Sequence, residues 1–280
     1  MTRSVDPQLA RACWAVLEPI HAFGYFAPQP TAAYVALGLR PKLSYFAARS
    51  AAFGPVGPEV TVATFYVFAP WLVQKALPAS WEVATPEQVQ KARREGMYAA
   101  LHEVLGEPDV TEALDIARRV CDGLTAHGRP IYAAHSSLDW PDDDLLALWH
   151  AATLIREHRG DGHVSVLHAA ELDPVESVVL GGLFSSSTGF LKKTRGWSDD
   201  EWAEGEERLK GRGLLTADGE LSGAGRETRQ EIERRTDLLA TEGWAHAGDE
   251  ASRRLRELVA PLREKVLATD LLPKWERKLH

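Results

Sequence analysis

The side chains best suited to chemistry in this sequence lie close together, from Arg156 to His163. His158 and His163 could transfer protons or donate hydrogen bonds near neutral pH, and Asp161 could orient one of the two imidazoles. Arg156 and Arg159 could receive an anionic group through charge-assisted hydrogen bonds. The pattern predicts His158, Asp161 and His163 as catalytic candidates and the two arginines as ligand-binding candidates.

The same segment fits two other interpretations. Arginine and glutamate alternate in it, which is typical of a loop whose charged residues pair with one another and cap helices. His158, Asp161, His163 and His168 are also metal-ligand types. Their spacing matches no established zinc motif and HExxH is absent, so we predict no metal site.

Aromatic residues from the first part of the chain could form the opposite wall of a pocket. The ligand-binding candidates there are Tyr25, Phe26, Tyr66 and Trp71, with Phe68 between the last two and His21 one helical turn before Tyr25. The run from Phe65 to Phe68 is apolar on all sides, which indicates a buried helix, so core packing competes with pocket lining. A histidine among apolar residues, such as His21, is commonly a hydrogen-bonded core residue.

Composition and motifs exclude several classes of protein. The formal charge of −8, with a pI near 5.7, would repel a polyanion unless basic residues gather locally. Cys13 and Cys121 are the only cysteines, which argues against a disulfide framework and fits a reducing cytoplasm. No apolar stretch approaches the length of a membrane span, and nucleotide and hydrolase motifs are absent. We therefore expect a cytoplasmic globular protein with no membrane partner, and the sequence identifies no cofactor.

Two helical regions must position these candidates. The first helix begins near Pro141-Asp142-Asp143, and Gly160 is placed to end it in a left-handed conformation. In the second region, Ser198 can cap a helix with an acidic first turn that stops by Gly213. Asp218-Gly219 then predicts a tight hairpin, because this pair accepts two positive φ angles.

This order of elements resembles the MarR-type winged helix-turn-helix proteins. The matching stretches are Arg212-Gly213-Leu214-Leu215, at the end of the recognition helix, and Leu221-Ser222-Gly223-Ala224-Gly225-Arg226, after the wing. The resemblance covers residues 142–240 and extends to a bacterial helix-turn-helix family of about this chain's length. It implies a mainly α fold with a small β-hairpin wing, and a ligand held between the helical body and the winged segment.

A repeated spacing suggests a decayed second copy of this unit. The spacing between Pro58, Phe68 and Trp81 is the same as the spacing between Pro174, Phe184 and Trp197. The repeat predicts tandem winged-helix-like halves, residues 1–140 and 141–280, around a shared helical body. Only the second half would keep its wing. Chance similarity between helical segments is the alternative.

The charges of the second half argue against DNA binding. The predicted recognition helix carries Asp199, Asp200, Glu201, Glu204, Glu206 and Glu207 against Arg208, Lys210 and Arg212. A winged helix instead needs lysine and arginine to hold phosphates while it enters the major groove. We therefore place first a small-molecule-binding protein on a winged-helix scaffold that has lost DNA binding. The alternatives are a MarR-type transcription regulator acting as a pseudo-dimer, and an enzyme using the His and Asp groups on a small metabolite.

Overall fold

A computed structural model of the chain describes residues 5–273, which fold almost entirely as helices. In chain order these are α1 (Pro7–Phe26), α2 (Pro28–Ala36), α3 (Ser44–Ser50), α4 (Pro58–Phe65), α5 (Pro70–Gln74), α6 (Ala79–Val83), α7 (Pro86–Leu105), α8 (Thr111–Asp122), α9 (Pro130–Ser136), α10 (Asp144–Ala169), α11 (Pro174–Ser185), α12 (Thr188–Arg195), α13 (Asp199–Gly211), α14 (Gly223–Leu239), α15 (Glu242–Ala247) and α16 (Asp249–Ala268). A 3-10 turn, Ala51–Phe53, follows α3.

Side-chain caps fix several helix starts at the predicted residues. The Asp143 carboxylate accepts the backbone N–H of Leu146 at 2.8 Å and opens α10. Ser198 and Glu201 form a reciprocal capping box at the start of α13. These caps satisfy amides that have no partner inside their own helix, which is why serine and aspartate mark helix starts in the sequence.

The largest hydrophobic core lies between the first, central and last helices. α1 packs along α16 and α10, and α8 packs on α10, α15 and α16. Phe23, Leu101, Leu148, Trp244 and Val259 are among the side chains that this core buries. The helices at the two ends of the described chain therefore belong to the same core as α10.

A second core holds α11, α12, α13 and α14 together. Val179, Trp202, Leu209 and Ile232 are buried in it. α13 approaches α11 closely at Gly205, because a Cβ there would lie 2.7 Å from Val175 Cγ1. The contact fixes the angle at which α13 leaves the turn after α12.

The expected β-hairpin wing is not formed as a pair of strands. Between residues 5 and 273 the β-type pairing is limited to one antiparallel bridge, Leu215 with Leu221. The turn between them closes with a 2.8 Å hydrogen bond from the Thr216 N–H to the Glu220 carbonyl. Gly219 has a φ of +82° but Asp218 does not have a positive φ, so the predicted two-residue turn was wrong.

The repeated spacing does not correspond to repeated structure. α11 is a 12-residue helix that contains Phe184. α4 has 8 residues and ends at Phe65, because Tyr66 takes a φ of +54°. The prediction of one buried helix through Phe68 was therefore wrong, although Phe65, Tyr66 and Phe68 are all buried. The structure gives the tandem halves no support.

The prediction that Gly160 ends its helix was also wrong. α10 continues without a break through Gly160, Asp161 and Gly162 to Ala169. A distant residue explains this, since the Arg129 guanidinium lies 2.6 Å from where a Gly162 Cβ would be. Packing against another helix outweighs the intrinsic cost of glycine in a helix. Within residues 5–273, no helix is both long and apolar enough to span a membrane.

Candidate functional site

The three catalytic candidates lie on α10 but reach three different elements. His158 is buried, and its Nε2 lies 2.5 Å from Glu242 Oε1 at the start of α15. Asp161 Oδ2 accepts the backbone N–H of Tyr132 at 2.9 Å, which caps α9. His163 Nδ1 lies 2.9 Å from the Thr236 hydroxyl of α14. The helix therefore does not bring His158, Asp161 and His163 to one position where a substrate could react.

Burial dominates the protonation of these groups. It lowers the pKa of His158 to about 4, with Arg129 lowering it further and Glu242 opposing both. It lowers the pKa of His163 to about 3 and raises that of Asp161 to about 6. Both imidazoles are therefore neutral near pH 7 in the folded chain. Among the described residues, no group of three or more His, Cys, Asp or Glu side chains could hold a metal ion.

Arg159 belongs to a second charged network, between α1, α10 and α14. Its Nη2 contacts Asp237 at 2.7 Å and Glu233 at 3.2 Å, and its guanidinium lies 4.1 Å from the centre of the Trp14 ring. Arg11 contacts the same two carboxylates, Glu233 at 2.6 Å and Asp237 at 3.2 Å. Arg159 is therefore already engaged by carboxylates of the chain itself.

Arg156 lies in a different cluster, centred on Glu157. The Glu157 side chain is fully buried, and Arg49 of α3 binds both of its oxygens at 2.8 and 2.9 Å. Arg156 contacts Glu157 at 2.6 Å and Glu18 at 3.6 Å. Burial alone would raise the pKa of Glu157, but Arg156 and Arg49 outweigh it and hold that pKa well below its usual value. This cluster joins α1, α3 and α10.

An aromatic wall adjoins the charged cluster. His21 Nδ1 lies 3.0 Å from the Thr153 hydroxyl, and its Nε2 lies 2.8 Å from the Tyr25 hydroxyl. The Tyr25 ring meets the Tyr45 ring edge-on at 5.1 Å. The Tyr45 hydroxyl accepts a 2.8 Å hydrogen bond from Arg49. Three of the predicted ligand-binding residues, His21, Tyr25 and Arg156, therefore surround the same charged cluster.

Arg195 completes this region from the end of α12. Its guanidinium lies 4.6 Å from the centre of the Phe68 ring, and Tyr45 packs on the same ring at 5.6 Å. Within residues 5–273 Arg195 pairs with no carboxylate, and its Nε is buried without a hydrogen-bond partner. Burial lowers the pKa of Arg195, and the neighbouring Arg49 and Arg156 lower it further. We call the region around Tyr25, Tyr45, Arg156 and Arg195 the Arg195 cleft.

The remaining aromatic candidates lie elsewhere. The Tyr66 hydroxyl donates to the Leu172 carbonyl at 2.5 Å, and its ring packs on His168. Trp71 is 43% exposed and donates to the Gly196 carbonyl at 2.7 Å. Phe26 packs at the edge of the largest core. The structure therefore does not place these three rings beside Arg156.

Sequence reasoning did not select Tyr45, Arg49, Glu157 or Arg195 as site residues. Tyr45 and Arg49 lie four residues apart on α3, so they share a helix face, but such a pair is common and marks no site. Their partners are distant in the chain, and no local pattern encodes those contacts.

α12 and α13 form a helix-turn-helix. Three residues connect them, and Gly196 in that turn has a φ of +84°, a left-handed conformation that glycine adopts readily. The turn directs α13 across α11, and α13 is the helix that the sequence predicts as the recognition helix.

The surface of α13 is nevertheless acidic. Asp199, Asp200, Glu204 and Glu207 are exposed on it. Its basic residues already have partners, since Arg208 lies 2.8 Å from Asp173 and Lys210 lies 2.7 Å from Glu207. Just beyond the helix, Arg212 contacts Glu176 at 3.1 Å. Cations held by carboxylates of the chain itself contribute little to phosphate binding.

The helix α7, which carries Lys91, Arg93 and Arg94, is partly covered. α2 lies along it, and a Cβ on Gly96 would come within 2.5 Å of Pro30 Cα. Arg93 of α7 is buried with its guanidinium 4.8 Å from the centre of the Trp149 ring. Because α2 covers part of α7 and Arg93 is buried, α7 is not free to enter a DNA groove along its whole length.

Comparison with known proteins identifies the family. The searches of curated proteins and of solved structures returned no significant match. The model of a helix-turn-helix family matches residues 10–273, nearly the whole chain, and includes every helix from α2 to α16. The protein therefore belongs to this helix-turn-helix family.

Proposed function

We propose that this protein binds a small organic anion in the Arg195 cleft, and that α13 does not read DNA. The observation that carries the proposal is the Arg195 guanidinium, which has no carboxylate partner within residues 5–273 and lies close enough to Arg49 and Arg156 to be perturbed by both. A desolvated cation beside other cations is unfavourable unless an anion accompanies it. A bound carboxylate would supply that anion.

The charge balance of the cluster supports an anionic ligand. Arg49 and Arg156 contact Glu157, and Arg156 also contacts Glu18, whereas Arg195 adds a third guanidinium close to the other two. Burial raises the pKa of Glu18, although Arg156 opposes the effect, so Glu18 is the weaker counterion. The cluster therefore has an excess of positive charge near neutral pH. An anionic ligand would be favoured over a neutral or cationic one.

The walls of the cleft favour an anion that carries a ring. Tyr25 and Tyr45 are half-buried, so part of each residue is accessible to solvent. The Tyr45 hydroxyl accepts its hydrogen bond from Arg49, which leaves its own hydrogen available to a ligand oxygen. A planar aromatic carboxylate could therefore contact a tyrosine ring, accept from Tyr45 and pair with Arg195.

The position of the cleft suggests a link to the helix-turn-helix. Arg195 is the last residue of α12, and its carbonyl accepts the Ala69 N–H at 2.9 Å. A ligand that pairs with Arg195 and Arg156 would join α12 to α10. We also propose that the turn around Asp218 is a reduced MarR-type wing. We further propose that a domain boundary lies near residue 140, between residues 1–140 and 141–280. We do not extend the proposal to catalysis by His158, Asp161 and His163, because each already contacts a different element.

Thermal unfolding with benzoate and its neutral isostere benzamide tests the proposal. Benzoate should raise the Tm of the wild-type chain and of Lys193→Gln, an exposed-residue control on α12, but not that of Arg195→Gln. Benzamide should raise none of them. An equal response of Arg195→Gln to benzoate would contradict the assignment of the cleft.

A regulator that binds DNA is the second candidate, and family membership is the observation that favours it. A mobility-shift assay at low salt with genomic fragments separates the two functions. The acidic face of α13 predicts no shift that withstands competitor DNA. A tight, competitor-resistant shift would replace ligand binding alone with a ligand-controlled regulator.

A further inference from the structure

We propose a second ligand site, a group of buried polar side chains on α7, α9 and α10 that binds a small oxyanion at Arg93. We call it the Arg93 chamber, and its polar side chains are Arg93, Gln90, His135 and His150. None of these four residues bounds the Arg195 cleft, so this inference does not depend on the proposed function.

The first observation is a buried cation without a counterion. Arg93 is 5% exposed, and within residues 5–273 its guanidinium has neither an ion pair nor a hydrogen bond. Its one recorded partner is the Trp149 ring, 4.8 Å away. A ring face offsets only part of the cost of removing a guanidinium from water, so the charge is left largely uncompensated.

The second observation is a set of buried nitrogen atoms without partners around the same cation. Gln90 Nε2, His135 Nε2 and His150 Nε2 are all buried and unpaired. Gln90 lies one turn before Arg93, on the same side of α7. Folded chains rarely leave three such atoms unsatisfied so close together, unless a water molecule or a ligand binds there.

His150 directly follows Trp149, whose ring contacts Arg93, and both histidines are close enough to Arg93 for its charge to lower their pKa values. Burial lowers the pKa of His150 to about 4, and Arg93 and then Arg94 lower it further. The pKa of His135 is also lowered well below its usual value, first by burial and next by Arg93. Both imidazoles are therefore neutral, and each can turn one N–H toward an acceptor.

The composition of the chamber defines the ligand class. Its four named side chains are one cation and three neutral polar groups, none of them a carboxylate, and Arg94 adds positive charge near His150. The carboxylate that perturbs His135, Glu157, is already held by Arg49 and Arg156. A small ion with two or more acceptor oxygens, such as a carboxylate or inorganic phosphate, would neutralise Arg93 and accept from the amide and the imidazoles. Trp149 and Trp140 leave the remaining walls apolar.

Titration of the full-length chain with acetate or with inorganic phosphate, at constant ionic strength, tests the chamber and distinguishes the two sources of oxyanion. We expect one of the two to raise the Tm of the wild type and of Lys91→Met, an exposed control on the same helix. Arg93→Met keeps the apolar stem against Trp149 and should bind that anion at least about ten-fold more weakly. Gln90→Leu keeps the charge and removes one donor, so it should weaken binding by a smaller factor.

Two results would overturn the proposal. One is an equal response of Arg93→Met and wild type to the stabilising anion. The other is a wild-type chain whose Tm neither anion changes, which would mean that ordered water fills the chamber. If Arg93→Met does not fold, calorimetric titration of the wild type and Gln90→Leu decides the same question.

Discussion

The Arg49 guanidinium binds both carboxylate oxygens of Glu157, at 2.8 and 2.9 Å, although the two residues are 108 positions apart. The pair connects α3 to the middle of α10, and both side chains are almost completely removed from solvent. A bidentate pair of this kind fixes the relative orientation of two helices as well as their distance. It also determines where Arg156, the residue before Glu157, can direct its own charge.

Glu157→Gln should strongly destabilise the fold. The substitution keeps the shape of the side chain but leaves Arg49 buried without its counterion and Arg156 with Glu18 alone, and loss of one partner costs about 3–5 kcal/mol in comparable buried pairs. Urea unfolding of wild type and variant measures the loss. The control is Glu231→Gln, because Glu231 pairs with Arg234 and Arg235 on an exposed surface and its removal should change stability little. Equal stability of Glu157→Gln and wild type would show that Glu157 is not the counterion of Arg49.

The sequence predicted helix ends well because their causes are local. Asp143 and Ser198 cap the helices that they were expected to cap. The segment at Gly160 was mispredicted because its cause is distant. Arg129 fills the space over Gly162, and nothing in the neighbouring sequence indicates its presence.

The candidate site could be predicted only in part, for the same reason. His21, Tyr25 and Arg156 were chosen for their residue types, and the structure places all three around Glu157. Arg49 and Arg195 come from helices far from α10 in sequence, so only tertiary packing reveals that they belong to the cluster. The residue types suggested part of the chemistry, but the charge balance of the cluster around Glu157 could be recognised only from the fold.

The two glycines of α10 should respond differently to alanine. A Cβ on Gly160 would lie 3.3 Å from the end of the flexible Arg156 side chain, so Gly160→Ala should stay within about 1 kcal/mol of wild type. A Cβ on Gly162 would displace Arg129, which donates to the carbonyls of His158 and Leu239. Gly162→Ala should therefore cost about 1–3 kcal/mol by urea unfolding.

A double-mutant cycle identifies the cause of that loss. In an Arg129→Gln background the obstructing guanidinium is gone, so Gly162→Ala should cost less than it does in wild type. If the cost is the same in both backgrounds, the Gly162 prediction is wrong, because Arg129 would then not be the residue that the new methyl group meets.

Stability should fall as pH decreases below the ordinary pKa of histidine. Burial lowers the pKa of His163 to about 3 and that of His150 to about 4, whereas an unfolded histidine titrates near pH 6.5. Between these pKa values the unfolded state therefore binds more protons than the folded state. The free energy of unfolding is highest above about pH 6.5 and falls as the pH decreases toward the folded pKa. Asp161 acts oppositely, because its pKa is raised to about 6, so its contribution is lost as pH rises from about 3.9 to that value.

His163→Gln measures the share of one histidine in this pH dependence. The variant keeps a group able to hydrogen-bond Thr236 and removes the titration, so it should flatten the curve by about 1.4 kcal/mol per pH unit between about pH 6 and 4. His127 is exposed, and His127→Gln should leave the slope as it is in wild type. A slope that is unchanged in His163→Gln would show that His163 is protonated in the folded chain within this range.

Gly96→Ala should loosen the helix that covers α7. A Cβ at this position would come within 2.5 Å of Pro30 Cα and 2.8 Å of Pro30 N, and a backbone cannot yield as a flexible side chain can. We expect a loss of about 1–3 kcal/mol in urea unfolding, the usual cost of overpacking. Ala99→Ser, on the exposed side of the same helix, is the matched control and should cost less. Hydrogen exchange gives the sharper test, because α2 should lose protection while α10 keeps it. Uniform loss of protection across the chain would mean that α2 does not separate from α7 by itself, and that its cover over α7 is as stable as the largest core.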